Sequence, residues 1–169
     1  NSMSGRMRPY DKRLQHKIPD LQENHFYLDN NYRNMRIYSE EVGTRRDKSD
    51  RRYTTLEELW NKHNSPDGGF WARNPAIRKH VEEIFTTLGA RVPIDSLSGV
   101  RKLEFKGFTD RKGYGVLLHP RAMRALGGAD LDGDKATIYF GGRNADGSGY
   151  GFKESWKDLY KSQQDEFTR

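Results

Sequence analysis

Three carboxylates stand at alternate positions in the stretch GGADLDGDK: Asp130, Asp132 and Asp134, with Gly133 before the last. Like charges this close repel, so the cluster costs stability unless something positive sits among them. An exposed acidic turn is one reading, because Asp and Gly are ordinary turn residues. A bound cation is the other. A calcium loop of the EF-hand type needs glycine at position six and a bidentate Glu at position twelve. Counted from Asp130, those positions hold Lys135 and Gly141, which rules that loop out. Magnesium fits better. It takes hard oxygen ligands at tight octahedral spacing and keeps waters and phosphates in its remaining positions. Gly133 lets the backbone fold where a side chain would obstruct it. With no His or Cys beside the cluster, zinc and redox iron fit less well.

The elements that must position this cluster change character along the chain. Residues 1–53 read as a polar basic extension in which HFYL (25–28) and MRIY (35–38) are the only strand candidates. The opening NSMSG reads as a cloning remnant and is set aside. EEVGTRRDKSDRR (40–52) is a charge run, expected to be a solvated loop, with a phosphate-contacting arm as its functional alternative. Residues 54–89 form a two-helix segment. Thr55 and Glu58 make a capping box for a helix carrying Leu56, Leu59 and Trp60. Asn74 caps a second helix with Pro75 at its first position, packing through Ile77, Val81, Ile84, Phe85 and Leu88 and stopped by Gly89. His63 and His80 lie on different helices and make no metal pair.

From residue 90 to 145 the period becomes that of strands: RVPI, VRKLEFKGF, YGVLLHP and KATIYF, with a helical turn at RAMRALGG. Lys102 and Lys106 alternate on one strand and share a face, either solvated or turned to a substrate. Residues 150–169 read as a C-terminal amphipathic helix with Phe152, Trp156, Leu159 and Tyr160 on one side.

The bulk numbers bound what such a chain does. Its 169 residues contain 33% hydrophobic side chains, with a mean hydropathy of −1.04. Both values are low for a self-sufficient globule and point to faces that belong against a partner. A net charge of +6 and a pI near 9.5 favour polyanionic partners. There is no cysteine, which excludes disulfides, thiolate metal sites and cysteine nucleophiles. No apolar run approaches a membrane span and no secretory leader is present, so a soluble intracellular protein is expected.

GADLDGD with its flanks resembles the metal-binding signature of the large catalytic subunit of multisubunit RNA polymerases, whose usual form is N-A-D-F-D-G-D. Arg91-Val92-Pro93 matches that family's R-x-P element, and VLLHP (116–120) matches its strand shortly before the aspartates. The match covers about residues 90–140, and the form of the aspartate stretch is most similar to the single-chain polymerases of crAss-like bacteriophages. The resemblance implies an α+β fold built on a double-psi β-barrel, with a helical pair before it and a C-terminal helix after it. It implies that Asp130, Asp132 and Asp134 hold the catalytic Mg²⁺, and that Arg91 approaches the ribose or phosphates of the incoming nucleotide. Lys102 and Lys106 join Arg91 as candidate nucleotide contacts.

Departures from the pattern shape the expectation. Gly128 stands where the family has an Asn that recognises the ribose hydroxyl. No G-K-R-type motif marks the early barrel strands, so the barrel is expected to be incomplete or completed by another segment. No second barrel with paired lysines, bridge helix or trigger loop is recognisable. The chain is therefore expected to be a fragment or subunit of a DNA-dependent RNA polymerase, inactive alone. Its partners would be template, nucleoside triphosphates and the segments carrying the second barrel, in the host cytoplasm or a virion. A silencing-type RNA-dependent polymerase is the rival within that class. The others are a non-catalytic basic nucleic-acid-binding barrel and a phage structural protein whose metal only rigidifies a loop.

Overall fold

Met3, Gly5 and Met7 alternate with Ser2, Ser4 and Arg6, and that period of two builds the first strand of the molecule. The computed structural model describes residues 1–10, 13, 17–19, 21–65, 74–92, 100–126 and 134–141. In it β1 (Ser2–Pro9) buries Met3, Gly5 and Met7 and exposes Ser2, Ser4 and Arg6. This corrects the setting-aside of NSMSG: the stretch is a barrel strand, pairing Ser2–Arg6 with β9 (Lys135–Phe140) and Arg6–Pro9 with β8 (Gly115–Leu118). A Cβ on Gly5 would collide with the Tyr32 hydroxyl and the Tyr114 carbonyl, which is why a glycine sits mid-strand there.

Six strands close into a barrel in the order β1-β8-β2-β7-β6-β9, where β2 is His25–Leu28, β6 is Thr86–Val92 and β7 is Val100–Phe108. The expectation of an incomplete barrel is corrected accordingly. Residues 1–53 supply two of its strands, β1 and β2. The pairings β1/β8 and β2/β7 are parallel and the other four antiparallel. Inward rows of Phe26, Leu103, Phe105, Val116, Ile138 and Phe140 fill the interior. The fold is thus α+β, a closed mixed barrel with few helices.

MRIY does form a strand, β3 (Arg36–Tyr38), but outside the barrel. It pairs with β5 (Arg52–Thr55), which pairs with β4 (Arg45–Arg46), giving a separate three-stranded sheet. The charge run 40–52 therefore holds more than loop: β4 and the start of β5 lie within it. A 3-10 helix (Asn30–Asn34) and two helices, α1 (Leu56–His63) and α2 (Pro75–Phe85), share this inserted region.

Both caps are as the sequence reads. The Thr55 side chain accepts from the Glu58 N–H at 3.2 Å, and Asn74 from the Ile77 N–H at 3.3 Å. The Glu58 carboxylate accepts from the Thr54 hydroxyl at 2.8 Å, and that bond, with Arg45 nearby and the Thr55 backbone N–H, holds its carboxyl below the usual range.

The end of α2 differs from expectation. Gly89 does not stop the helix, which ends at Phe85; the chain passes directly into β6, and Gly89 sits mid-strand opposite Arg101 and Ile138. Thr86 and Thr87 favour extended backbone, and pairing to strands on both sides fixes it. A Cβ on Gly89 would lie 2.6 Å from Leu103 Cδ1, so the glycine serves close approach. Leu88 consequently leaves the helical stripe and packs outside the barrel with Ala90, Val100 and Tyr139. A third helix, α3 (Pro120–Ala125), realises the expected turn after β8. The C-terminal helix expected at 150–169 lies outside the described residues.

One buried carboxylate ties the barrel's seam. Asp29, 3% exposed, accepts from Arg8 Nη2 at 2.6 Å, from the Thr109 hydroxyl at 2.6 Å and from the Gly115 N–H at 2.9 Å. Two segments distant in sequence, β1 and the β7–β8 connection, converge on it.

Candidate metal centre at the barrel mouth

The register places three strand ends (β1, β6, β8) and three strand starts (β2, β7, β9) at one end of the barrel. At that mouth lie the described residues of the motifs: Arg91 near the end of β6, His119 just after β8 and Asp134 just before β9.

Asp134 immediately precedes β9, and its carbonyl accepts from the Met7 N–H at 3.0 Å. Arg91 lies on β6 opposite the buried Ala136, hence diagonal to Asp134 on the inward face. Arg91 Nη1 stands 4.0 Å from Asp134 Oδ2, with side chains 11% and 26% exposed. A guanidinium so far removed from water requires an anion beside it, and this one has a carboxylate at the outer limit of an ion pair. Asp130 and Asp132 lie outside the described residues. Among the described residues no three acidic, His or Cys side chains converge as metal ligands. The donor chemistry of the turn still fits a hard cation: Asp134 presents a partly exposed carboxylate at the mouth, two further carboxylates precede it in sequence, and Arg91 offsets only part of that charge.

Lys102 and Lys106 are not brought to Arg91 and Asp134. Strand β7 turns Leu103 and Phe105 inward and exposes Lys102 and Lys106 on the outer face, where Lys102 pairs opposite Leu88. Lys106 Nζ is 3.7 Å from Glu104 Oε2.

The inward row of the same strand instead carries Arg101, which the sequence reading passed over. Alternation with Leu103 and Phe105 was the signal that could have found it. Arg101 Nη2 lies 3.8 Å from Glu23 Oε2, and Arg121 Nη1 is 2.9 Å from Glu23 Oε1. The Arg121 hydrogen bond, helped by Arg101 and His119, holds the Glu23 carboxyl below its usual range. His119, from the VLLHP element, accepts the Arg121 N–H at 3.1 Å through Nδ1 and so caps α3. Among the described residues the mouth gathers the guanidinium groups of Arg91, Arg101 and Arg121 with the carboxylates of Asp134 and Glu23.

A cleft of about 620 Å³ lies elsewhere, between α1, α2 and the flank of β2 and β7, lined by Trp60, His63, Glu82, Phe85, His25 and Glu104 among others. It includes neither Asp134 nor Arg91. Burial lowers the pKa of both its histidines, against the upward pull of Glu104 on His25 and Glu82 on His63. Among the described residues, no helix is long and apolar enough to cross a membrane. Compared with known proteins, the chain matches no protein-family model and no curated sequence.

Proposed function

We propose that this chain is the metal-holding barrel of a DNA-dependent RNA polymerase of the multisubunit type, similar to the single-chain bacteriophage enzymes, and that the barrel is of the double-psi kind. The observation that carries the reading is the meeting of Arg91 and Asp134. They come from two motifs well apart in sequence, in the order the resemblance requires, and stand 4.0 Å apart at one mouth. Two parallel pairings within a six-stranded, otherwise antiparallel barrel support the double-psi assignment.

In this reading Asp130, Asp132 and Asp134 hold Mg²⁺. The ion supplies charge neutralisation for a triphosphate and activation of a 3′-hydroxyl. The chain's own residues do the positioning on which phosphoryl transfer depends. Arg91 is planar and permanently charged, so it matches a phosphate bidentately where a lysine would offer only a point charge. Its enclosure among barrel residues fixes its direction. Arg101, on the same inward face, extends positive charge along the path a polyphosphate or strand would take. Lys102 and Lys106 remain outside the proposed site. Gly128 in place of Asn removes one handle on the ribose hydroxyl. The chain alone binds metal and makes no product, because the second barrel and its lysines belong to a partner segment.

The test is titration of the protein with Mn²⁺ and Mg²⁺, followed by NMR or calorimetry, beside an Asp130→Ala/Asp132→Ala/Asp134→Ala variant. Saturable binding in the first that vanishes in the second is expected. Superimposable curves at millimolar metal would reduce the aspartates to a turn and overturn the reading.

A further inference from the structure

The three-stranded sheet turns one face to the core and the other to solvent, and the two are chemically distinct. Ile37 and Thr54, directly paired, are 0% and 1% exposed. The opposite face receives the alternate residues: Arg36 opposite Thr55, Tyr38 opposite Tyr53, and Arg45 on the other side of Tyr53. Arg51, just before β5, folds over the same face. Its Cζ lies 4.0 Å from the Tyr38 ring centre, and Arg36 Cζ lies 4.5 Å from that of Tyr53. The two tyrosine rings are 5.8 Å apart. Arg36, Arg45 and Arg51 are all exposed. The result is a surface of planar groups, guanidinium and phenol, with Arg36 and Arg51 each lying over a tyrosine ring.

We propose that this face binds single-stranded nucleic acid, stacking unpaired bases on the guanidinium and tyrosine planes while the same arginines meet the phosphates. Base stacking on aromatic or guanidinium planes tolerates any sequence because every base has a π-face, and Arg both stacks and neutralises. Residues 36–53 carry six basic side chains against four acidic ones. One of those acids, Asp47, sits beside this face with its side chain 10% exposed: it accepts the Ser49 and Arg51 N–H groups at 2.8 and 2.9 Å, and its Oδ2 stands 3.5 Å from Arg51 Nε, which holds that guanidinium in place and offsets part of its charge. Arg45 is held by Glu58 at 2.8 Å, which fixes its place at the rim and leaves Arg36 and Arg51 as the principal contacts. Three strands at about 4.8 Å spacing make a face roughly 10 Å wide, room for a short run of bases. A duplex would offer this face only its backbone, since its bases are already stacked. The proposal does not rest on the metal reading: the sheet lies outside the barrel, and none of its residues is in the aspartate turn.

The experiment is fluorescence anisotropy of a short labelled oligouridylate with the whole chain at low and at physiological salt. Arg36→Gln/Arg51→Gln should weaken binding about tenfold. Arg111→Gln/Lys112→Gln removes the same charge from the exposed β7–β8 connection and should change it by no more than roughly twofold. Tyr38→Phe/Tyr53→Phe should bind as the parent does, and Tyr38→Leu/Tyr53→Leu should lose about tenfold. Matching thermal melts establish that the variants are folded. Equal weakening by the two charge-removing pairs would overturn the proposal, leaving only bulk charge. So would displacement of the labelled strand by a duplex of equal length as readily as by a single strand. The Asp130→Ala/Asp132→Ala/Asp134→Ala variant should bind the oligonucleotide undiminished; loss there would overturn this site while leaving the metal reading to its own titration.

Discussion

At one end of the barrel Trp60, Phe85, Phe105 and Phe140 meet ring to ring, with Trp60 5.0 Å from Phe105 and 5.1 Å from Phe85. At the other end Arg91, Arg101 and Arg121 stand around Asp134 and Glu23. Aromatic burial contributes to stability whatever is bound, whereas the guanidinium ring repels itself and gains from an anionic ligand. The contrast separates the end where the fold is held from the end to which the proposed function assigns the chemistry. Trp60 of α1 and Phe85 of α2 pack at the first end, and the second carries Arg91 and Asp134, the described residues of the motifs.

The comparison breaks most sharply at the Asp29 seam, away from the mouth. Asp29→Ala strands the Arg8 guanidinium, the Thr109 hydroxyl and the Gly115 N–H, and should cost about 3–5 kcal/mol in denaturant unfolding. Arg91→Gln, at the mouth, should cost less, about 1–2 kcal/mol, because its ion pair with Asp134 is long and that partner is partly exposed. Comparable losses in the two variants would abolish the division between a holding end and a working end.

A smaller effect is expected at Tyr32. Its hydroxyl sits 2.9 Å from the Ser4 carbonyl and 2.8 Å from that of Tyr114, sharing one proton between strand β1 and the approach to β8. Tyr32→Phe leaves those carbonyls without it and should cost about 1–2 kcal/mol. Burial, with Asp29 and Tyr114 nearby, pushes the Tyr32 pKa up to about 12. The unfolded chain therefore ionises first, and this contribution is intact below about pH 10 and lost as pH rises toward 12. Alkaline melts of the parent should fall more steeply than those of the Phe variant; parallel curves would remove Tyr32 from the seam.

Much of this was legible in the sequence where a local rule and the tertiary environment agree. VRKLEFKGF and KATIYF alternate apolar and polar residues and are β7 and β9 residue for residue. Thr55 and Asn74 announce their helices because a capping side chain acts within three residues. Legibility failed where partners outvoted local identity. Ser, Met, Gly and Arg are not strand formers, yet β1 exists because β8 and β9 flank it. Gly89 has the look of a helix stop, and two neighbouring strands make it an extended residue. At the site, Arg91 and Asp134 were paired by resemblance, while Arg121 and Glu23, 98 residues apart, leave no local mark. Arg101 was readable by alternation alone, since the parity that exposes Lys102 turns Arg101 inward.

The mildest distinction between the ends is one of protonation. His63 closes α1, its ring 5.5 Å from Phe85 and 6.3 Å from Trp60, and its Nδ1 is buried without a hydrogen-bond partner. A position in the last turn of a helix favours an imidazolium. Desolvation opposes it and wins, seconded by Arg78 and Lys106 against the pull of Glu82, so the pKa is lowered. A His whose folded pKa lies below its unfolded value near 6.5 is protonated first in the unfolded chain. Stability is then full above that value and declines as pH falls through it, levelling off below the folded pKa. Thermal melts at about pH 7.5 and about pH 5.5 should therefore show an acid-induced drop in the parent. His63→Leu should show a smaller drop, with the remainder carried by His25, whose pKa burial also lowers. An identical drop in both proteins would mean that His63 is hydrated in solution, and that the aromatic end is less dry than the ring contacts imply.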